Sequence, residues 1–302
     1  MARTETEIYR RFRGTLRASV AGFPGLARAG IAAAARRKLP LAILYAPPAI
    51  ATVIFSFVVY TRFSLQAGIT PAALGGPSPA TAMAAVFART LIQVRDQIVL
   101  FHMAMSVFAL LVIAWFGAGL IAEDRRSGAH LLYFSRPLSV AGYLAAKFLT
   151  LAFFALLAVL LPGLVICAVA AFASPDWAFL REEGRLVPVT ILFSLLWAGV
   201  WSSVMLAISS LFARKTSALV ASFAFFMASG AIALVLTGLQ EDERFLMLSL
   251  QGNFLRIAGW MFAMPRMGLA WDVRGSFACV LLAAALAWGL LVLRVRRLET
   301  AA

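Results

Sequence analysis

The chain has 302 residues, 63% of them hydrophobic and 13% charged, with a mean hydropathy of +0.91. A water-soluble domain carries roughly 25% charged residues, so this composition excludes one: the apolar surface has nowhere to go in water. Lys and Arg outnumber Asp and Glu by 27 to 13, a formal charge of +14 that calls for an anionic partner. No basic run is interleaved with stacking aromatics, and nine cations crowd the first 38 residues just ahead of the first long apolar run. That placement suits a lipid headgroup surface and gives no footprint for nucleic acid.

Residues 1–38 read as a basic, amphipathic, cytoplasmic segment. Ile8, Phe12, Leu16 and Val20 recur every fourth residue among Arg10, Arg11, Arg13 and Arg17, the spacing of a helix lying in the membrane interface. The Ala-rich stretch Ala32 to Ala35 precedes the apolar run, the reverse of a cleavable signal, so the first span is expected to be retained.

A helix needs about 20 apolar residues to cross a hydrocarbon core of about 30 Å, and six runs qualify. They are Leu39 to Tyr60, Ile98 to Ala122, Phe148 to Phe172, Leu186 to Phe212, Ser217 to Leu239 and Ser276 to Leu293. The fold class is therefore all-α, a single polytopic domain over residues 39–302 without internal repeats. Pro47 and Pro48 interrupt the first span and predict a kink, since neighbouring helices can satisfy the freed carbonyls.

Placing both termini inside puts eighteen Lys and Arg on the cytoplasmic side and nine outside, the asymmetry expected for a multi-pass protein of a cell membrane, inner or plasma. The segment from Phe245 to Asp272 is apolar but broken by Gln251, Asn253, Arg256, Pro265 and Arg266. It is expected to form short helices or a re-entrant hairpin at the external face over residues 245–272.

Chemistry-bearing motifs are few. No G-x-x-x-x-G-K-[ST] loop is present, so no ATP cradle of that kind exists in the chain. His102 and His130 stand in no H-E-x-x-H, and no G-x-S-x-G elbow occurs, which lowers protease and hydrolase readings. The spans hold no Asp or Glu apart from their ends, against a proton-driven carrier. No catalytic residue, metal site or bound cofactor is expected. His102 is read as a hydrogen-bonded interfacial residue before a substrate contact. Cys167 and Cys279 both sit in apolar runs and read as small packing residues, not a disulfide. Trp115, Trp197, Trp201 and Trp288 suit core packing, and Trp177, Trp260 and Trp271 an interfacial belt.

The informative stretch is GAGLIAEDRRSGAHLLYFSRPLSVAGYLAAK, Gly117 to Lys147. Glu123, Asp124, Arg125 and Arg126 leave the membrane together, Ser127-Gly128 breaks the helix, and Arg136-Pro137 closes a short apolar piece. A charged, capped helix outside the membrane can be gripped by a soluble partner, whose motion then reaches spans two and three as a rigid displacement. In the order of its acidic-basic cluster, Ser-Gly pair, later Pro and Lys, this stretch resembles the cytoplasmic loop after the second span of ABC-2 type ABC transporter permeases. Glu123, Asp124, Arg125, Gly128, Pro137 and Lys147 carry the match, and the plan of a basic interfacial helix before six spans agrees with it.

The resemblance implies a type V exporter-like permease whose segment 123–137 is a coupling helix, docked on an ATPase subunit present in two copies that binds the ATP and Mg. It implies a second permease chain, same or sister. Small residues Ser217, Ala221, Ala224 and Ala228 on the fifth span are a candidate face for it, since they permit close helix approach. A membrane scaffold that passes ATPase work to an extracytoplasmic partner is the second reading, disfavoured by external loops too short for a large domain. An intramembrane enzyme is the third, and lacks catalytic groups.

Overall fold

The computed structural model describes residues 23–66, 93–129, 139–264 and 272–299. Among them every regular element is helical. Helix α1 spans Phe23–Ala35, α2 Lys38–Gln66, α3 Val94–Ser127 and α4 Val140–Ala173. A 3-10 turn, Pro175–Trp177, and the short α5, Ala178–Glu182, lead into α6, Leu186–Leu211, and α7, Lys215–Gln240. A second 3-10 helix, Glu243–Leu248, precedes α8, Leu250–Met261, and α9, Val273–Glu299, ends the bundle. Ile8, Phe12, Leu16 and Val20 lie outside the described residues.

Six of these helices are long and apolar enough to cross a membrane: α2, α3, α4, α6, α7 and α9. They coincide with the six expected runs. Both α3 and α4 run to 34 residues, about 51 Å at 1.5 Å per residue, so each overshoots the hydrocarbon core. Apolar runs mark only the lipid-crossing part of a helix; its polar extensions are held by protein contacts that hydropathy does not register.

The inner layer is α3, α4 and α6. Gly163 of α4 makes their approach possible: a Cβ there would stand 2.9 Å from Thr190 Cγ2 and 3.2 Å from His102 Cε1. Tyr45 of α2 donates to the Phe154 carbonyl at 2.6 Å, tying the first span to α4. Helix α2 continues through Pro47 and Pro48 without a break. Trp197 and Trp201 are buried, with Trp201 against Phe226 of α7 and Trp288 of α9 against Phe148. Trp177 and Trp260 are exposed.

The interrupted stretch after the fifth span carries the second 3-10 helix and α8. At 12 residues, about 18 Å long, α8 cannot cross the membrane. Its N-terminus is capped by the Ser249 hydroxyl, which accepts from the Gly252 N–H at 3.2 Å, and it buries Leu250, Phe254, Ile257 and Ala258. Phe254 packs against Phe193 and Trp197 of α6. Arg95, at the start of α3, holds the chain beyond α8 through the Ala263 carbonyl at 3.0 Å.

Candidate functional site

The charged end of α3 is where the sequence concentrates its polar chemistry. Helix α3 stops because Gly128 takes φ 70°, the left-handed conformation a glycine adopts without Cβ strain. Arg125 and Arg126 fall in its last turn, where cations complement the exposed carbonyl dipoles. The Ser127 hydroxyl folds back to the Glu123 carbonyl at 2.8 Å.

The four charges at this end do different things. Asp124 faces inward: its Oδ2 lies 2.6 Å from Lys147 Nζ of α4 and accepts from the Tyr143 hydroxyl at 2.7 Å. Arg125 reaches sideways and donates through Nη1 to the Ser210 carbonyl at 2.8 Å and the Phe212 carbonyl at 3.4 Å. It thereby caps the C-terminus of α6, whose last carbonyls have no helical partner. Glu123 and Arg126 are exposed, with no side-chain hydrogen bond or ion pair among the described residues. Arg136 and Pro137, like His130, lie outside the described residues.

One turn earlier, Ser209 of α6 wedges against α3, its hydroxyl donating to the Ala118 carbonyl at 2.9 Å. Ala118, Ala122 and Ala218 form a small apolar cluster there, and their size lets the backbones approach. The end of α3 is thus bolted to α4 by a charge pair and to α6 by a guanidinium and a hydroxyl.

Sequence reasoning placed Asp124 and Arg125 beside Glu123 and Arg126 as one charged cluster; the structure assigns the first two to internal contacts. Tyr143, Ser209 and Ser210 were not singled out. No sequence signal could have found them, because each lies on a different helix from its partner, up to 91 positions away.

His102 is buried, with Nδ1 2.7 Å from the Ile98 carbonyl and Nε2 3.3 Å from Ser194 Oγ. Phe101, Phe193 and Phe262 surround it. It is a packing residue at the junction of α3, α6 and the end of α8. The candidate dimer face is partly open: Ser217, Ala224 and Ala228 are exposed and Ala221 half-buried. Cys167 and Cys279 are free. Among the described residues no group of His, Cys, Asp and Glu could hold a metal ion.

Six helices long and apolar enough to cross a membrane, with a charged helix end anchored to its two inner neighbours, define a multi-pass membrane protein. Residues 81–270 match the family described as ABC-2 family transporter protein. The chain therefore belongs to the ABC-2 family, the membrane permease components of ABC transporters. Among curated proteins none matches the chain.

Proposed function

We propose that the chain is the permease subunit of an ATP-driven exporter, with both termini cytoplasmic and the segment from Glu123 to Pro137 as the docking point for an ATPase that binds ATP and Mg. Two ATPase copies and a second permease, seated against the Ser217, Ala221, Ala224 and Ala228 face of α7, complete the assembly. The observation that carries this reading is the division of labour at the end of α3. Asp124 and Arg125 fix that end to α4 and α6, while Glu123 and Arg126 are exposed. A push on the exposed pair is delivered to three inner helices together, as a rigid-body displacement. The surplus of basic residues at this end supports the cytoplasmic assignment.

The test uses the chain co-expressed with its ATPase. Truncating one member of a desolvated interfacial charge pair costs roughly 2–5 kcal/mol, so Glu123→Ala or Arg126→Ala is expected to weaken assembly or to uncouple hydrolysis from transport, with unchanged membrane insertion. The purified chain alone is expected to hydrolyse no ATP. Normal assembly and transport by both variants would remove the coupling assignment.

A further inference from the structure

Beside the charged end of α3 lies a cavity of about 350 Å³ between α1, α3, α4 and the first turn of α7. Helix α1 rests on α4 there, with the Thr150 hydroxyl 3.3 Å from the Ala27 carbonyl. The cavity wall holds three cations, Arg37, Lys147 and Lys215, and two carboxylates, Glu123 and Asp124. Lys147 and Asp124 neutralise each other at 2.6 Å.

The remaining groups point to an anion. The Lys215 ammonium stands 4.6 Å from the centre of the Trp115 ring; among the described residues no carboxylate lies within ion-pairing distance of it. Arg37 likewise has no ion-pair partner among them. The Glu123 carboxyl is folded over Gly119, 3.0 Å from where a Cβ would stand, and offers an acceptor to hydroxyl groups. With Glu123 acting electrostatically on Lys215 across it, the cavity wall carries one net positive charge.

Its depth narrows the source of the anion. Lys38 begins α2, Lys215 begins α7, and Glu123 lies in the last turns of α3, so the cavity sits where helices leave the hydrocarbon and phospholipid phosphates reside. On its other flank α1 borders an apolar groove of about 460 Å³ shared with Leu149, Phe153 and Leu156 of α4, which places α1 itself at lipid level. We infer that the cavity binds the headgroup of an anionic glycerophospholipid. The phosphodiester is held by Arg37 and Lys215, and the headgroup hydroxyls by Glu123. The single net charge favours a phosphoglycerol head over a zwitterionic one. The inference shares Glu123 with the coupling reading, but its test reads lipid retention by the chain alone, so the two can fail separately.

The test is native mass spectrometry of the full chain purified in detergent and offered phosphatidylglycerol, phosphatidylcholine or inorganic phosphate. The wild-type chain is expected to retain one phosphatidylglycerol in preference to phosphatidylcholine. Combining Arg37→Gln with Lys215→Gln should lower that retention about tenfold or more, the scale of a lost charge-assisted hydrogen bond. Lys215→Arg, which keeps the charge, should retain binding. Equal retention of the two lipids, or undiminished retention by the double variant, would overturn the inference. So would displacement by equimolar inorganic phosphate, which assigns a free-anion site, or loss of the lipid on addition of the ATPase, which assigns the cavity to a protein side chain.

Discussion

The inner helices α3, α4 and α6 and the outer helices α2, α7 and α9 are alike in length and apolar character, yet the structure treats them differently. Within their most apolar stretches, 61%, 50% and 67% of residues are buried in the inner set, against 11%, 11% and 22% in the outer set. The inner set also holds most of the buried polar side chains, among them His102, Ser106, Thr150, Thr190, Ser194 and Ser209. In lipid, an apolar surface gains nothing by turning inward, so inner helices are selected by groups that need protein partners: hydroxyls, small contacts and charge pairs. The outer faces, with Phe57, Val220, Phe223, Leu234 and Leu286 exposed, are left for lipid or for another chain.

The sharpest way to break this contrast is the charge pair that locks two inner helices. Lys147→Ala leaves Asp124 without its cation in a largely buried setting, an effect of about 3 kcal/mol, read as a fall in the detergent Tm. The double variant with Asp124→Ala should recover part of that loss. Additive losses would show that the pair does not hold α3 to α4.

Next in size is the α3–α6 contact. Ser209→Leu puts a branched side chain where the hydroxyl meets the Ala118 carbonyl; overpacking of this kind costs about 1–3 kcal/mol. Leu234→Ala on the exposed face of α7 should change monomer stability by no more than about 0.5 kcal/mol. Comparable losses at the two positions would erase the distinction between inner and outer helices.

The smallest effect on stability, and the sharpest on the outer set, comes from cysteines at Ala221 and Ala228 of α7. Both are expected to be silent in thermal unfolding, while yielding covalent dimers with short bifunctional linkers. Monomers alone across several linker lengths would leave that face to lipid.

How much was legible in advance depends on the range of the interaction. Gly128 as the stop of α3 could be read directly, because a Ser-Gly pair after a charged turn is a local signal. The roles of Asp124 and Arg125 could not: adjacent in sequence, they project about 100° apart on a helix and meet α4 and α6 respectively. Likewise His102, with its neighbours Arg95 and Asp96, looked interfacial; the aromatic enclosure from Phe193 and Phe262 comes from residues at least 90 positions away.

The sequence by itself determined that the chain enters a membrane, how many helices are long and apolar enough to cross it and which apolar run forms the centre of each. Transfer into hydrocarbon is decided segment by segment, by about 20 residues at a time. Only the tertiary structure decided which helices form the inner layer, that Asp124 pairs with Lys147 while Glu123 stays open, and that Arg37, Trp115 and Lys215 share one cavity. Those outcomes depend on which faces meet, and in lipid the faces that meet are chosen by sparse polar and small residues whose partners lie on other helices.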